Sequence, residues 1–282
     1  MPNDDDLDHI AAISDPAARA RAATERLAIY QAAVTRLARI RREAIAQLRA
    51  SGLSYGRVAD ALGVSRGRIA QLRGTGHAVE RDFFGDDIIT ITTPLRAGEG
   101  TRPVVAQEDF EAASQLARYL NSVEIDTSFG QVAPAGEIDF TPPGLILICG
   151  PKSSPVARKL FDTDPRLQFN VDEAGRWRLT ERASGEQHAS PRDDDPSADR
   201  DVAYLGRLDR PDGGPPVLVI AGVHAIGSLG VVHFLSQPGN VHQLHREIGT
   251  HRFSMVIGSA YTTSPLQILS SQADTPPLVH EG

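Results

Sequence analysis

Between residues 54 and 73 the chain carries helical apolar spacing on both sides of one glycine, and few backbones satisfy that pattern. Val58, Ala59 and Leu62 precede Gly63 on one helical face, and Val64, Ile69 and Leu72 follow it. Glycine takes the left-handed conformation that ends a helix at no steric cost. Ser54 and Ser65 stand where N-caps are expected, one before each helix. The pattern predicts two short helices that cross closely. The contact position then needs a side chain as small as Ala59, while Val58, Leu62, Val64, Ile69 and Leu72 fill the core between them and the preceding segment.

Charge accounting gives this region a partner. The chain as a whole is acidic, at −7, which taken alone argues against a polyanion. From Pro16 to Gly76, however, there are twelve arginines and no lysine against Glu25, Glu43 and Asp60, a net +9. Residues 77 to 282 carry −11 and the first fifteen −5. A cationic head on an acidic body is the footprint of a chain that meets nucleic acid with one part and something else with the other.

Residue by residue, SYGRVADALGVSRGRIAQL resembles the DNA-binding helices of helix-turn-helix regulators, especially the kind seen in sigma factor region four. The resemblance covers residues 54 to 73, or 16 to 76 with the Arg-rich segment before them. It implies a recognition helix over Ser65 to Arg73 lying in the major groove of double-stranded DNA. Ile69 and Leu72 would then point inward, leaving Arg66, Gly67, Ala70 and Gln71 toward base edges. Arg68 and Arg73, joined by Ser54, Tyr55 and Arg57, would meet phosphates. Such heads read paired half-sites, so a homodimer is expected.

Upstream, Asp15-Pro16 is a good helix start, and no Gly or Pro interrupts the chain until Ser51-Gly52. Leu27, Tyr30, Val34, Leu37, Ala44 and Leu48 recur at near-heptad spacing. That stripe either packs on its own head or pairs two subunits, and Arg41 on the seam weakens the second option. Residues 1 to 15 read as an acidic flexible tail, and 77 to 87 as a linker.

Residues 88 to 270 have the pattern of a larger α/β domain with a mostly parallel sheet, beside the small all-α headpiece. Strands are expected at Asp87 to Thr93, Val123 to Phe129, Leu145 to Cys149 and Val217 to Ala221, and a helix at Gln107 to Asn121. A hairpin around Asp172-Glu173-Ala174-Gly175 is expected on the same sheet. Residues 183 to 201, rich in Ser, Asp and Pro, read as a flexible loop in which Asp193, Asp194 and Asp195 form a solvated run. Residues 271 to 282 read as a tail. The one cysteine, Cys149, excludes a disulfide framework. No apolar run approaches membrane-spanning length, and the N-terminus opens on aspartates instead of a basic signal segment. A cytoplasmic location without membrane contact follows as an expectation.

Two strand ends in this body run into glycine-containing turns and then helices, where doubly wound folds hold anions. One supplies Gly150, Lys152, Ser153 and Ser154; the other supplies Gly222, His224, Gly227 and Ser228. The second has the glycine spacing of a phosphate loop but Gly227 where its lysine would stand, so a nucleoside triphosphatase is not expected. The alternative reading of these glycines is close packing of chain against sheet. His242 and His245, three apart, permit a metal, but no cysteine or carboxylate shares their turn, and no metal is assigned. No catalytic residue is assigned either, since neither Ser153 nor Ser228 has a partner that spacing can place.

Together these features predict a sequence-specific transcription regulator whose α/β body senses a small anionic ligand, a nucleotide being the possible one; no cofactor is assigned with certainty. Two alternatives belong to other classes. One is a nucleotide- or nucleoside-processing enzyme with a DNA-binding head. The other is a DNA-binding interaction protein whose body only mediates assembly.

Overall fold

The computed structural model describes residues 4–16, 18–23, 26, 37, 40, 41, 44, 45, 47–49, 51–65, 78–85, 88–97 and 103–280. The chain divides into two compact units, Met1–Gly76 and His77–Gly282.

In the first unit, helix α1 spans Asp4–Ala11, where a flexible tail was expected. Asp15 accepts the amide of Ala18 at 3.0 Å, as the expected N-cap should. Helix α2 spans Tyr55–Leu62, with the Ser54 hydroxyl accepting the Arg57 amide and Gly63 left-handed at φ 66°. Ile45, Val58 and Ala59 are buried together, with Leu48, Leu53, Tyr55 and Val64 packed around them. Leu62 departs from expectation: it is 42% exposed, and among the described residues the packing centres one turn earlier, on Val58 and Ala59. The heptad reading also shifts, since Ile45 is buried while Ala44 and Leu37 are exposed. Leu27, Tyr30, Val34, Ile69 and Leu72 lie outside the described residues.

The second unit opens with helix α3, Ala78–Phe84, in the segment expected as linker. Phe83 and Phe84 bury against the core, and Arg207 donates to the Phe83 carbonyl at 2.9 Å. Three strands and two helices build the centre: β1 Ile89–Pro94, α4 Gln107–Ser122, β4 Thr127–Val132, β5 Gly144–Ile148 and α5 Pro155–Asp162. Between β1 and α4 lies a short pair, β2 Arg96–Ala97 with β3 Pro103–Val104. The chain continues through β6 Leu167–Val171, β7 Trp177–Glu181, β8 Gln187–Ala189, β9 Arg200–Leu208 and β10 Val217–Gly222. It ends with α6 Ala225–Ser236, α7 Asn240–Ile248, β11 Phe253–Thr263, β12 Leu266–Ala273 and β13 Leu278–Val279.

The main sheet is mixed, ordered β12-β11-β9-β10-β5-β1-β4, with β13 also on β11. Its parallel part is β4-β1-β5-β10, while β9, β11, β12 and β13 pair antiparallel. The α/β class is as expected; the parallel character is confined to four strands. The hairpin turns where expected, but β6, β7 and β8 form a separate three-stranded sheet. Strand side chains alternate between two cores. Ile89, Ile91, Ile146, Ile148, Leu218 and Ile220 face α3, α4, α6 and α7. Leu145, Leu147, Val217 and Val219 face α5 and the β6–β7 hairpin.

Two segments expected to be loose are built into this body. Within 183–201, β8 pairs with β7, a 3-10 turn covers Pro191–Asp193, and β9 begins at Arg200. Hydrogen bonds and ion pairs hold this stretch, so its polar composition is compatible with order. The expected C-terminal tail continues β12 to Ala273, adds β13, and places His280 beside Ser254 at 3.1 Å.

Candidate functional site

β1 leads through α4 to β4 on one side, whereas β5 lies on the other side of β1 and its helix covers the opposite face. Such a reversal leaves a crevice at the carboxyl ends of the strands. A cavity of about 430 Å³ opens there, lined by the ends of β1, β5 and β10 and by the hairpin.

Both sequence-flagged turns reach it. Gly150, Lys152, Ser153, Gly222, His224 and Ser228 line the cavity. Two expected contacts do not. Ser154 is buried as the N-cap of α5, accepting the Ala157 amide at 3.0 Å and donating to the Gly136 carbonyl at 2.5 Å. Gly227 lies inside α6, where a Cβ would stand 2.8 Å from the Asp201 carboxylate and from the Val202 carbonyl. Its missing side chain lets α6 approach β9, which is a packing role. Gly222 makes the turn itself: a Cβ there would come within 1.9 Å of the His224 carbonyl.

Long-range folding brings in residues with no local signal in the sequence. Arg96, just past β1, pairs at 2.9 Å with Asp109 in the first turn of α4. The Asp109 side chain is only 5% exposed. Burial pushes its carboxyl up to about 6, although Arg96 opposes the shift. The hairpin contributes Phe169 and Trp177, with the Arg158 guanidinium 5.5 Å over the indole. Beside β10, His224 Nε2 lies 2.9 Å from Asp193, whose side chain is 9% exposed, so Asp193 is no solvated charge. Asp201 accepts the amides of Val202 and His224, and burial raises its carboxyl. Cys149 also lines the cavity; burial pushes its thiol up to about 12, so it stays a neutral wall.

The Asp109 carboxyl predicts an acid-range effect with a definite sign. Its folded value lies above the ordinary 3.8, so the stability it contributes is complete below that value and is lost as pH rises through about 6. Asp109→Asn should flatten that part of the stability–pH curve, by an amount on the order of 2 kcal/mol. Chemical denaturation at pH 4 and pH 7 measures it; an unchanged difference between the two pH values would count against the assignment.

His242 and His245 do share a helix face, but it meets α3: His242 reaches Glu80 at 3.0 Å and His245 reaches Asp82 at 4.0 Å. Among the described residues no group of three or more His, Cys, Asp or Glu side chains is placed to hold a metal.

In the head, Ser54, Arg57 and Ser65 are exposed. Tyr55 is partly covered, with the Arg49 guanidinium 4.0 Å above its ring. Arg66, Gly67, Arg68, Ala70, Gln71 and Arg73 lie outside the described residues. No helix among the described residues is long and apolar enough to cross a membrane. No protein-family model, curated protein or solved structure matches the chain.

Proposed function

We propose that this protein is a sequence-specific DNA-binding transcription regulator whose body senses a small anionic ligand. The observation that carries the sensing half is the convergence of Gly150–Ser153 and of Gly222, His224 and Ser228 on one cavity with Arg96. The DNA-binding half rests on the +9 charge of residues 16 to 76 and the resemblance over 54 to 73. The Ser54 cap, the left-handed Gly63 and the Val58–Ala59 core are features such a head requires.

A route for coupling lies within the second unit. A ligand anion that draws Arg96 from Asp109 acts on the first turn of α4. The region around the other end of α4 meets α3 through Tyr119 against Phe84 and Glu124 against Arg81. α3 begins two residues after the first unit ends. The ligand shifts DNA affinity only if it prefers one arrangement of these elements, and a twofold homodimer would double the effect at paired half-sites.

In a gel-shift series, Arg66→Ala should relax sequence choice, while Arg73→Ala should weaken binding to all duplexes alike. A base contact is worth about 1–3 kcal/mol of discrimination. Equal losses of specificity in both variants would overturn these roles.

One observation favours an enzyme as the second reading: the His224–Asp193 pair at the cavity edge has the form of an oriented general base. Turnover of nucleotides by the full chain, abolished in His224→Asn, would select that reading over a sensor.

A further inference from the structure

We infer that the cavity is built for a nucleoside 5′-monophosphate, with its base against Trp177 and its phosphate between Lys152 and Arg96. The inference rests on the anion-sensing reading above and adds the chemistry of the ligand.

The hairpin supplies the aromatic wall. Phe169 stands 6.2 Å from Trp177 at 74° between ring planes, and Arg158 covers the indole from 5.5 Å. This wall flanks the turn that carries Lys152. A planar base gains stacking area there that a sugar phosphate or an inorganic anion lacks.

Charge balance limits the phosphate to one. Lys152 and Arg96 are the cations lining the cavity among the described residues, and Arg96 already shares its charge with Asp109. A single phosphate group carries about −1.5 to −2 near neutrality, which this pair can match. At the β10 end the two polar groups of His224 are already taken by acids: Asp193 holds its imidazole and Asp201 its amide. Those carboxylates repel further phosphates, so among the described residues a triphosphate chain finds no further cationic surface to extend along. At about 430 Å³ the cavity falls within the roughly 300–1,000 Å³ of small-molecule sites.

Isothermal titration of the full chain with AMP, GMP, CMP and UMP, their nucleosides, their triphosphates, ribose 5-phosphate and inorganic phosphate tests this. At least one monophosphate should bind tenfold or more tightly than its nucleoside, its triphosphate and ribose 5-phosphate. Trp177→Leu should weaken the monophosphate tenfold while leaving ribose 5-phosphate unchanged. Lys152→Gln, on an exposed residue, should bring monophosphate and nucleoside to equal affinity at an unaltered melting temperature. Ribose 5-phosphate or inorganic phosphate binding as tightly as any nucleotide, with loss in Lys152→Gln, would overturn the nucleotide assignment and leave anion sensing standing. Tighter binding of a triphosphate would overturn the single-phosphate limit. No binding by any of these probes would overturn both the inference and the anion-sensing reading.

Discussion

Asp164→Ala should cost about 3–5 kcal/mol, the range for removing one member of a buried charged network. Asp164 sits between α5 and β6, 1% exposed. One carboxylate oxygen accepts the amides of Arg166 and Leu167, the Ser254 hydroxyl and the His280 ring. The other accepts the Tyr204 hydroxyl at 2.7 Å. Four parts of the body meet on this group: the hairpin layer, β9, β11 and the C-terminal segment. Alanine would leave the Leu167 amide and the Tyr204 hydroxyl buried without an acceptor. For a unit of this size the loss corresponds to a melting point lower by about 10 °C. Tyr204→Phe should cost less, about 1–2 kcal/mol, because the carboxylate keeps its other partners.

The pH dependence of Asp164 runs opposite to that of Asp109. Burial alone would raise the carboxyl, but the hydrogen bonds from His280, the Leu167 and Arg166 amides and Tyr204 outweigh it and hold it below its ordinary value. Its stabilisation is therefore present above the unfolded value of 3.8 and is lost as pH falls through the folded one. The gap between wild type and Asp164→Ala should be constant from pH 6 to 8 and shrink below about pH 4. A gap that widened in acid would contradict this.

Gly222→Ala should cost about 2–4 kcal/mol and abolish the nucleotide binding proposed for the cavity, as read by isothermal titration. Its Cβ would lie 1.9 Å from the His224 carbonyl and 2.8 Å from the Ser228 amide, so backbone must move on both sides. That movement breaks the hydrogen bond that the Gly222 amide donates to the Ser228 hydroxyl and displaces His224 from Asp193. Gly150→Ala is the matched control in the other turn. Its Cβ would meet nothing nearer than Ala221 and the Gly222 carbonyl, both at 3.9 Å. Its stability should stay within about 0.5 kcal/mol of wild type. Equal tolerance of both substitutions would show that the two turns do not differ as described.

Features that depend on neighbours in sequence were legible before the fold. The Ser54 cap, the Gly63 turn, the Asp172–Gly175 hairpin and the apolar runs at Leu145 and Val217 all reside in short windows. So did six of the cavity's polar and glycine residues, because a strand end followed by a glycine turn implies amides facing outward.

What failed depends on partners far along the chain. β9 is buried on both faces and contains Tyr204 and Arg207, whose polar groups find their partners in other elements, and Asp201, which reaches the His224 amide beyond β10. Residues 183–201 looked loose because their order comes from ion pairs such as Asp193–His224 and Asp194–Arg176. Gly227 has the spacing of a phosphate loop, yet its space is taken by Asp201 from β9. Trp177 read as a hairpin residue, and only the tertiary fold carries the hairpin over the strand ends.

Selection of the full chain against a pool of randomised duplexes at about 50 mM salt, where phosphate contacts remain strong, tests the central proposal most directly. The expected result is enrichment of a short sequence, repeated about one helical turn apart, whose affinity falls steeply as salt is raised and whose preference weakens in Arg66→Ala. Recovery of the starting pool unchanged, with no shift of any duplex at that salt, would contradict a DNA-binding regulator.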